Sequence, residues 1–170
     1  MQFVSAQPVI NLVTHSDPTA CGINDGFIQV TASGGTNGLQ YRLNGGPWTF
    51  SPFFANLDRG DYVLELRSGT GFCEVFYAQN PIVLEDPAGA MVTTDVLSNY
   101  LGEDISCVGE MDGMGVARAV GGQAPYTFNW SNGQIGDTLS NVGAGEYYVT
   151  VTDSLNCAVC LLYTSPSPRD

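Results

Sequence analysis

Gly145-Glu146-Tyr147-Tyr148-Val149-Thr150-Val151-Thr152 is a run of aromatic and β-branched residues opened by a glycine, the composition that a pleated, half-buried strand favours. Earlier in the chain, Gly60-Asp61-Tyr62-Val63-Leu64-Glu65-Leu66-Arg67 opens the same way. It sets Tyr62, Leu64 and Leu66 on one face and Val63, Glu65 and Arg67 on the other, so one set enters a core while the other meets solvent. The period is two, and no window of twelve residues carries a helical apolar stripe.

Outward from these two stretches the chain repeats itself. Cys21, Asp25-Gly26, Gly34-Gly35, Asn56-Leu57, Gly60-Asp61-Tyr62 and Cys73 are answered in the same order by Cys107, Asp112-Gly113, Gly121-Gly122, Asn141-Val142, Gly145-Glu146-Tyr147 and Cys157. By residue number the offsets run from 84 (Cys73 to Cys157) to 87 (Asp25 to Asp112). A repeat at this scale decides the architecture.

Phe27 to Thr31 and Val116 to Val120 read as strands opened by Asp-Gly and closed by Gly-Gly. Further strands are expected at Val9 to Thr14, Leu39 to Leu43, Cys73 to Gln79, Met91 to Val96 and Tyr126 to Trp130, separated by turn signals such as Asn44-Gly45-Gly46-Pro47 and Ser131-Asn132-Gly133. A strand about every ten residues suggests two antiparallel sheets packed face to face. The expected fold is all-β: two tandem Ig-like antiparallel β-sandwich repeats, 7–86 and 87–159, joined at the polar Glu85-Asp86-Pro87-Ala88-Gly89 step.

Residues 160–170, Cys160-Leu-Leu-Tyr-Thr-Ser-Pro-Ser-Pro-Arg-Asp170, contain no glycine, show two Ser-Pro steps and lack evident strand alternation. The string resembles, codon for codon, the translation of a sequencing transposase adapter. That resemblance implies a non-native tail, a natural sequence ending near Val159 within a longer protein, and exclusion of the tail from fold reasoning. Without it the five cysteines become four. Cys21 and Cys73 bracket the first repeat and Cys107 and Cys157 the second, so pairing within each repeat is the simplest of three connectivities. Such a cross-link, closing a loop of about 50 residues, would add roughly 4 kcal/mol on the chain-entropy argument. Buried free thiols and metal ligation are the alternatives, the latter without the close CxxC spacing that zinc sites use.

Charge excludes whole classes of partner. Seventeen acidic residues face five arginines (Arg42, Arg59, Arg67, Arg118, Arg169) and no lysine, for a net charge of −12. Nucleic acid and anionic membrane surfaces both require clustered cations. No apolar run reaches the ~20 residues of a spanning helix, so no membrane insertion is expected.

The inventory for chemistry is thin. The single histidine, His15, has no nucleophile beside it in sequence and falls on an expected edge strand. Glu103, Asp104, Glu110 and Asp112 crowd Cys107, as a carboxylate pair or a calcium site would require, but the first repeat keeps only Asp25 of these and no Asp-x-Asp-x-Asp-Gly loop is present, so Asp-Gly as a turn before a strand is the preferred reading. No Gly-rich phosphate loop opens a helix. Neither catalysis, a cofactor nor a metal is therefore expected. Trp48 and Trp130 occupy comparable mid-repeat positions, where filling a small core is the common use of so large a ring and glycan contact is the alternative.

Cys21-Gly-Ile-Asn-Asp-Gly26, Gly121-Gly-Gln-Ala-Pro-Tyr-Thr-Phe-Asn-Trp-Ser-Asn-Gly133 and Gly145-Glu-Tyr-Tyr-Val-Thr-Val-Thr-Asp153 with Cys157 together resemble the SprB-type repeat of large surface adhesins in gliding and other Bacteroidota. The second repeat resembles it over nearly its full length. The first departs at Gly38-Leu39-Gln40-Tyr41, where the Pro-Tyr is missing, and carries Arg42-Leu-Asn-Gly-Gly-Pro-Trp48 instead. The resemblance implies display at the cell surface, export signals outside this segment, and a role in surface adhesion or gliding motility. Its partners would be neighbouring repeats of the same chain and a surface polysaccharide or other cell-surface ligand. A carbohydrate-binding accessory module of a secreted polysaccharide-degrading enzyme is the competing expectation.

Overall fold

In the computed structural model, which describes residues 7–69, 73–101 and 103–166, all regular elements among the described residues are strands. No helix there is long and apolar enough to cross a membrane. The chain divides into two compact units, Met1–Asp86 and Pro87–Asp170.

The first unit contains β1 (Val9–Ser16), β2 (Gly26–Ser33), β3 (Leu39–Leu43), β4 (Phe53–Leu57), β5 (Gly60–Tyr62), β6 (Leu64–Ser68), β7 (Glu74–Phe76) and β8 (Ile82–Leu84). One sheet has the order β1-β2-β4, a second has β3-β6-β7, and β5 pairs with β8. Ile28 and Val30 from β2 meet Tyr41, Leu64, Leu66 and Ile82 from the opposing strands in one apolar cluster, so the unit is a β-sandwich. The second unit contains β9 (Ala90–Val96), β10 (Gly113–Gly121), β11 (Thr127–Trp130), β12 (Thr138–Val142), β13 (Gly145–Thr152) and β14 (Ala158–Ser165). Its sheets, β12-β10-β9 and β11-β13-β14, have the same order as those of the first unit. They enclose Ala117, Leu139 and Val142 on one side and Trp130, Val149, Val151 and Tyr163 on the other. All pairings are antiparallel.

The sequence landmarks are backbone devices of this sandwich. Gly26 pairs with Leu57 and Gly113 with Val142, and beside each pair the register slips. The extra residues there are Asn56 and Asn141, both left-handed (φ 56° and 54°), a conformation asparagine tolerates better than most side chains. A Cβ on either glycine would lie 2.9 Å from the Leu57 carbonyl oxygen or 2.7 Å from that of Val142. Asp-Gly and Asn-Leu/Val are thus the two sides of one β-bulge.

The second device is a corner. The Tyr62 hydroxyl donates to the Asp58 carbonyl at 2.9 Å and the Tyr147 hydroxyl to the Gly143 carbonyl at 3.1 Å. In each unit the tyrosine of the Gly-Asp/Glu-Tyr landmark reaches back four residues, as the tyrosine corner of immunoglobulin-type sandwiches does. β13 runs unbroken where β5 and β6 are separate elements, yet the flanking bracket is the same. The Val63 amide donates to Asn44 Oδ1 at 2.7 Å, and the Tyr148 amide donates to Ser131 Oγ at 3.1 Å.

Three expectations are corrected. β4, β8 and β12 are not among the expected strands: a left-handed asparagine interrupts the alternation of β4 and β12, and β8 has only three residues. Cys160–Ser165 is not devoid of strand pattern: it continues β14, which pairs with β13 from Thr152↔Ala158 to Gly145↔Ser165. Tyr163 and Ser165 turn inward and are buried, and Cys160, Leu162 and Thr164 turn outward, so the second sandwich extends past Val159. Finally, Cys73 and Cys107 are free thiols, as is Cys160, whereas Cys21 and Cys157 are disulfide-bonded. Neither Cys21–Cys73 nor Cys107–Cys157 forms, and the stabilisation computed for such loops does not apply. A disulfide requires Cα atoms within about 7 Å, a condition that bracketing a repeat does not impose.

Candidate functional site

A grouping of polar and aromatic side chains lies on the outer face of β3 and β6. Alternation sends Gln40 and Arg42 outward from β3 and Glu65 and Arg67 outward from β6, and the register places Gln40 opposite Arg67 and Arg42 opposite Glu65. Asn44 and Gly45, both at positive φ, reverse the chain after β3. Reciprocal amide-to-carbonyl bonds between Tyr41 and Thr49, 2.8 and 2.9 Å, then lay Trp48 back over the sheet.

Trp48 is half-buried, with the Arg42 guanidinium carbon 4.4 Å and that of Arg67 4.2 Å from its ring centroid, both in cation–π range. Arg42 also donates to Glu65 at 2.6 Å and Arg67 to Gln40 at 2.8 Å. Glu65 is buried, so its charge is compensated where burial would otherwise be costly. The hydrogen bond to Glu65 raises the pKa of Arg42 further. Each guanidinium has five N–H donors; Arg42 Nε is buried without a partner, so it is not among those a ligand could reach.

Sequence reading singled out Trp48 without its partners. Part of the signal is in the sequence, since alternation already sends Glu65 and Arg67 to one face of their strand, but neither the faces of Leu39–Leu43 nor the adjacency of the two strands follows from sequence alone. Trp130 is different. It is 4% exposed, its indole N–H donates to the Gly136 carbonyl at 3.0 Å, and Tyr163 meets it edge-on with ring centroids 6.3 Å apart. Trp130 is core; Trp48 belongs to the surface cluster.

The carboxylates serve the loops. Asp25 accepts from the Thr19 amide at 2.8 Å and its hydroxyl at 2.5 Å, and these bonds, the hydroxyl's foremost, hold its pKa below the ordinary range. Asp112 accepts from the Ser106 amide at 3.1 Å, and the Ser106 side chain and backbone lower its pKa in the same way. Each aspartate ties down the loop six residues upstream. Asp104 moves oppositely, raised by burial and by Glu103. Among the described residues no three His, Cys, Asp or Glu side chains converge as a metal site. His15 is exposed on the edge strand β1, paired with Ile28.

Asp153 is the most enclosed of the carboxylates, 4% exposed. Its Oδ2 accepts from the Gln123 amide at 3.1 Å, and its Oδ1 from the amides of Leu155 at 2.9 Å and Cys157 at 3.0 Å. These three bonds, that from Gln123 foremost, lower its pKa. A Cβ on Gly122 would lie 2.6 Å from Oδ2, which accounts for the second Gly-Gly landmark.

Residues 103–135 match the SprB repeat family, a span covering the Asp112 loop, β10, β11 and the turn after Trp130. No curated protein matches the chain. Among solved structures, six chains match. One is the C-terminal 282-residue fragment of intimin in complex with the translocated intimin receptor intimin-binding domain; it is 14% identical with a TM-score of 0.38, over 93% of this chain and 64% of that chain.

Proposed function

We propose that the chain is a segment of a secreted cell-surface adhesin, in which two SprB-type sandwich modules extend a filament and present its outer faces to a surface ligand. The observation that carries this reading is the SprB match over residues 103–135, within a sandwich whose strand order the first unit reproduces. The modules are read as non-enzymatic: Asp25, Asp112 and Asp153 accept from loop amides, and no cluster of His, Cys, Asp or Glu converges among the described residues. A net charge of −12 keeps such an array soluble and discourages self-association. Disulfide bonding at Cys21 and Cys157 suits an oxidising exterior, and gliding motility in a Bacteroidota host is the physiological setting the repeat type suggests. The adapter-like string at 160–170 is read as a substitute that satisfies the last strand because Leu161, Tyr163 and Ser165 happen to alternate inward. Long-read sequencing of the parent locus tests the whole proposal. Further repeats and a C-terminal sorting domain after codon 159 are expected; a hydrolase domain would transfer the segment to a carbohydrate-degrading enzyme, and uninterrupted genomic sequence encoding the 160–170 string would refute its adapter origin.

A further inference from the structure

Unit for unit, the two sandwiches differ at one end. Leu43 and Trp130 are counterparts, each the last residue of its strand and each paired with the first buried residue of the central strand, Leu43↔Leu64 and Trp130↔Val149. Phe54 and Leu57 correspond likewise to Leu139 and Val142, and Tyr62 to Tyr147, by their places at the bulge and the corner. In the second unit this end is closed: Trp130 is 4%, Leu139 0% and Val142 2% exposed. In the first unit Leu43, Phe54 and Leu57 are only half-buried, and an open pocket of about 410 Å³ lies among Leu43, Asn44, Thr49, Phe54, Leu57 and Tyr62.

The polar atoms at its rim are already engaged. Asn44 donates to the Asp61 carbonyl and accepts from the Val63 amide, Thr49 Oγ1 accepts from the Ser51 amide, and the Tyr62 hydroxyl donates to the Asp58 carbonyl. A ligand there gains by apolar contact and by shape, not by new hydrogen bonds. The second unit shows which shape fits between these strands, because it fills the corresponding place with an indole.

We propose that this pocket of the first unit is a receptor for an aromatic side chain, a tryptophan presented by a partner polypeptide, occupying the place that Trp130 occupies in the second unit. The inference concerns only this pocket and stands whether or not the parent is an adhesin. The probe is N-acetyltryptophanamide, uncharged so that the acidity of the chain does not repel it, titrated into the full chain and followed by heteronuclear NMR. Saturable shifts confined to Leu43, Asn44, Thr49, Phe54, Leu57 and Tyr62 are expected. Leu43→Trp should fill the pocket from within, weakening binding at least ~10-fold while raising the melting temperature of the first unit. A second variant, Leu57→Ala on the opposite wall, should weaken binding without filling the pocket. The proposal is overturned by absence of saturable shifts, by unchanged affinity in Leu43→Trp, or by methyl glycosides displacing the same signals where N-acetyltryptophanamide does not.

Discussion

Gly113→Ala tests the bulge. The added methyl would sit 2.7 Å from the Val142 carbonyl oxygen and 3.4 Å from both Ile105 Cγ1 and Ser165 Oγ. Backbone oxygen cannot rotate away, so β12 must shift at the point where Asn141 is already left-handed. Overpacking of this kind costs roughly 1–3 kcal/mol, against about 0.4–1 kcal/mol gained by restricting the unfolded chain. The net is a loss of about 1–2 kcal/mol, or a fall of roughly 5–15 °C in the melting temperature of a unit this size. Gly143→Ala is the matched control in the same unit. Its Cβ would meet only the Glu110 oxygen at 3.4 Å and Met111 Cγ at 3.9 Å, with no positive φ to strain, so the entropic gain of about 0.4–1 kcal/mol should survive. The assay is thermal unfolding followed by the fluorescence of Trp130 in a Trp48→Phe background, so that the second unit alone is read. Opposite signs for the two glycines are expected. Equal effects, or a Gly113→Ala protein as stable as its parent, would refute the bulge argument.

Alkylation of the native protein without reductant, followed by peptide mass spectrometry, should modify Cys73, Cys107 and Cys160 and leave Cys21 and Cys157 unmodified; alkylation of either of the last two contradicts the assignment. Trp130→Ala should cost about 3–5 kcal/mol, read as a lower urea midpoint for the second unit, and a loss below about 1 kcal/mol would mean the indole is not core. Asp153→Asn should weaken the protein at neutral pH and flatten its acid limb. The carboxylate pKa is lowered by folding, so its contribution is present above the unfolded value of about 3.9 and is lost as pH falls through the lower folded value. An Asn variant whose stability follows the same acid profile as the parent would show that Asp153 does not carry that titration.

The fold was legible because its backbone devices are written in residues that few other roles explain. An all-β fold of antiparallel sheets followed from period two between turn signals, and all regular elements among the described residues are strands in antiparallel sheets. Asp-Gly, Asn-Leu/Val and Gly-Asp/Glu-Tyr recur at nearly one offset since each half of a bulge or corner must face its other half across a sheet, which fixes spacing along the chain. Elsewhere the signal was weaker or of another kind. A strand of five residues with a left-handed asparagine, Phe53–Leu57 or Thr138–Val142, does not alternate cleanly enough to be seen. Cysteine separation along the chain is not a distance in space, so equal bracketing suggested pairs that do not form. Trp48 could not be placed between core and surface until the register set Arg42 beside Glu65 and Arg67 beside Gln40.

The two interiors show why a shared backbone does not imply a shared surface. At the counterpart of Ile28 the second unit has Gly115, and a Cβ there would lie 3.0 Å from the Tyr163 ring; at the counterpart of Ile82 it has Tyr163, which takes that space. Small opposite large in one unit answers medium opposite medium in the other, as close packing at fixed volume demands. The exchange balances across the middle of the sandwich but not at its end. There Trp130 has only Leu43 as its equivalent, and the larger side chains beside it, Phe54 for Leu139 and Leu57 for Val142, do not close the end, since both remain half-buried. The corner and bulge hold the walls of that end apart at the same positions in both units, so a smaller side chain there leaves an opening instead of a collapse. The repeat can thus keep one fold while varying, through a few core side chains, whether its end is closed or open.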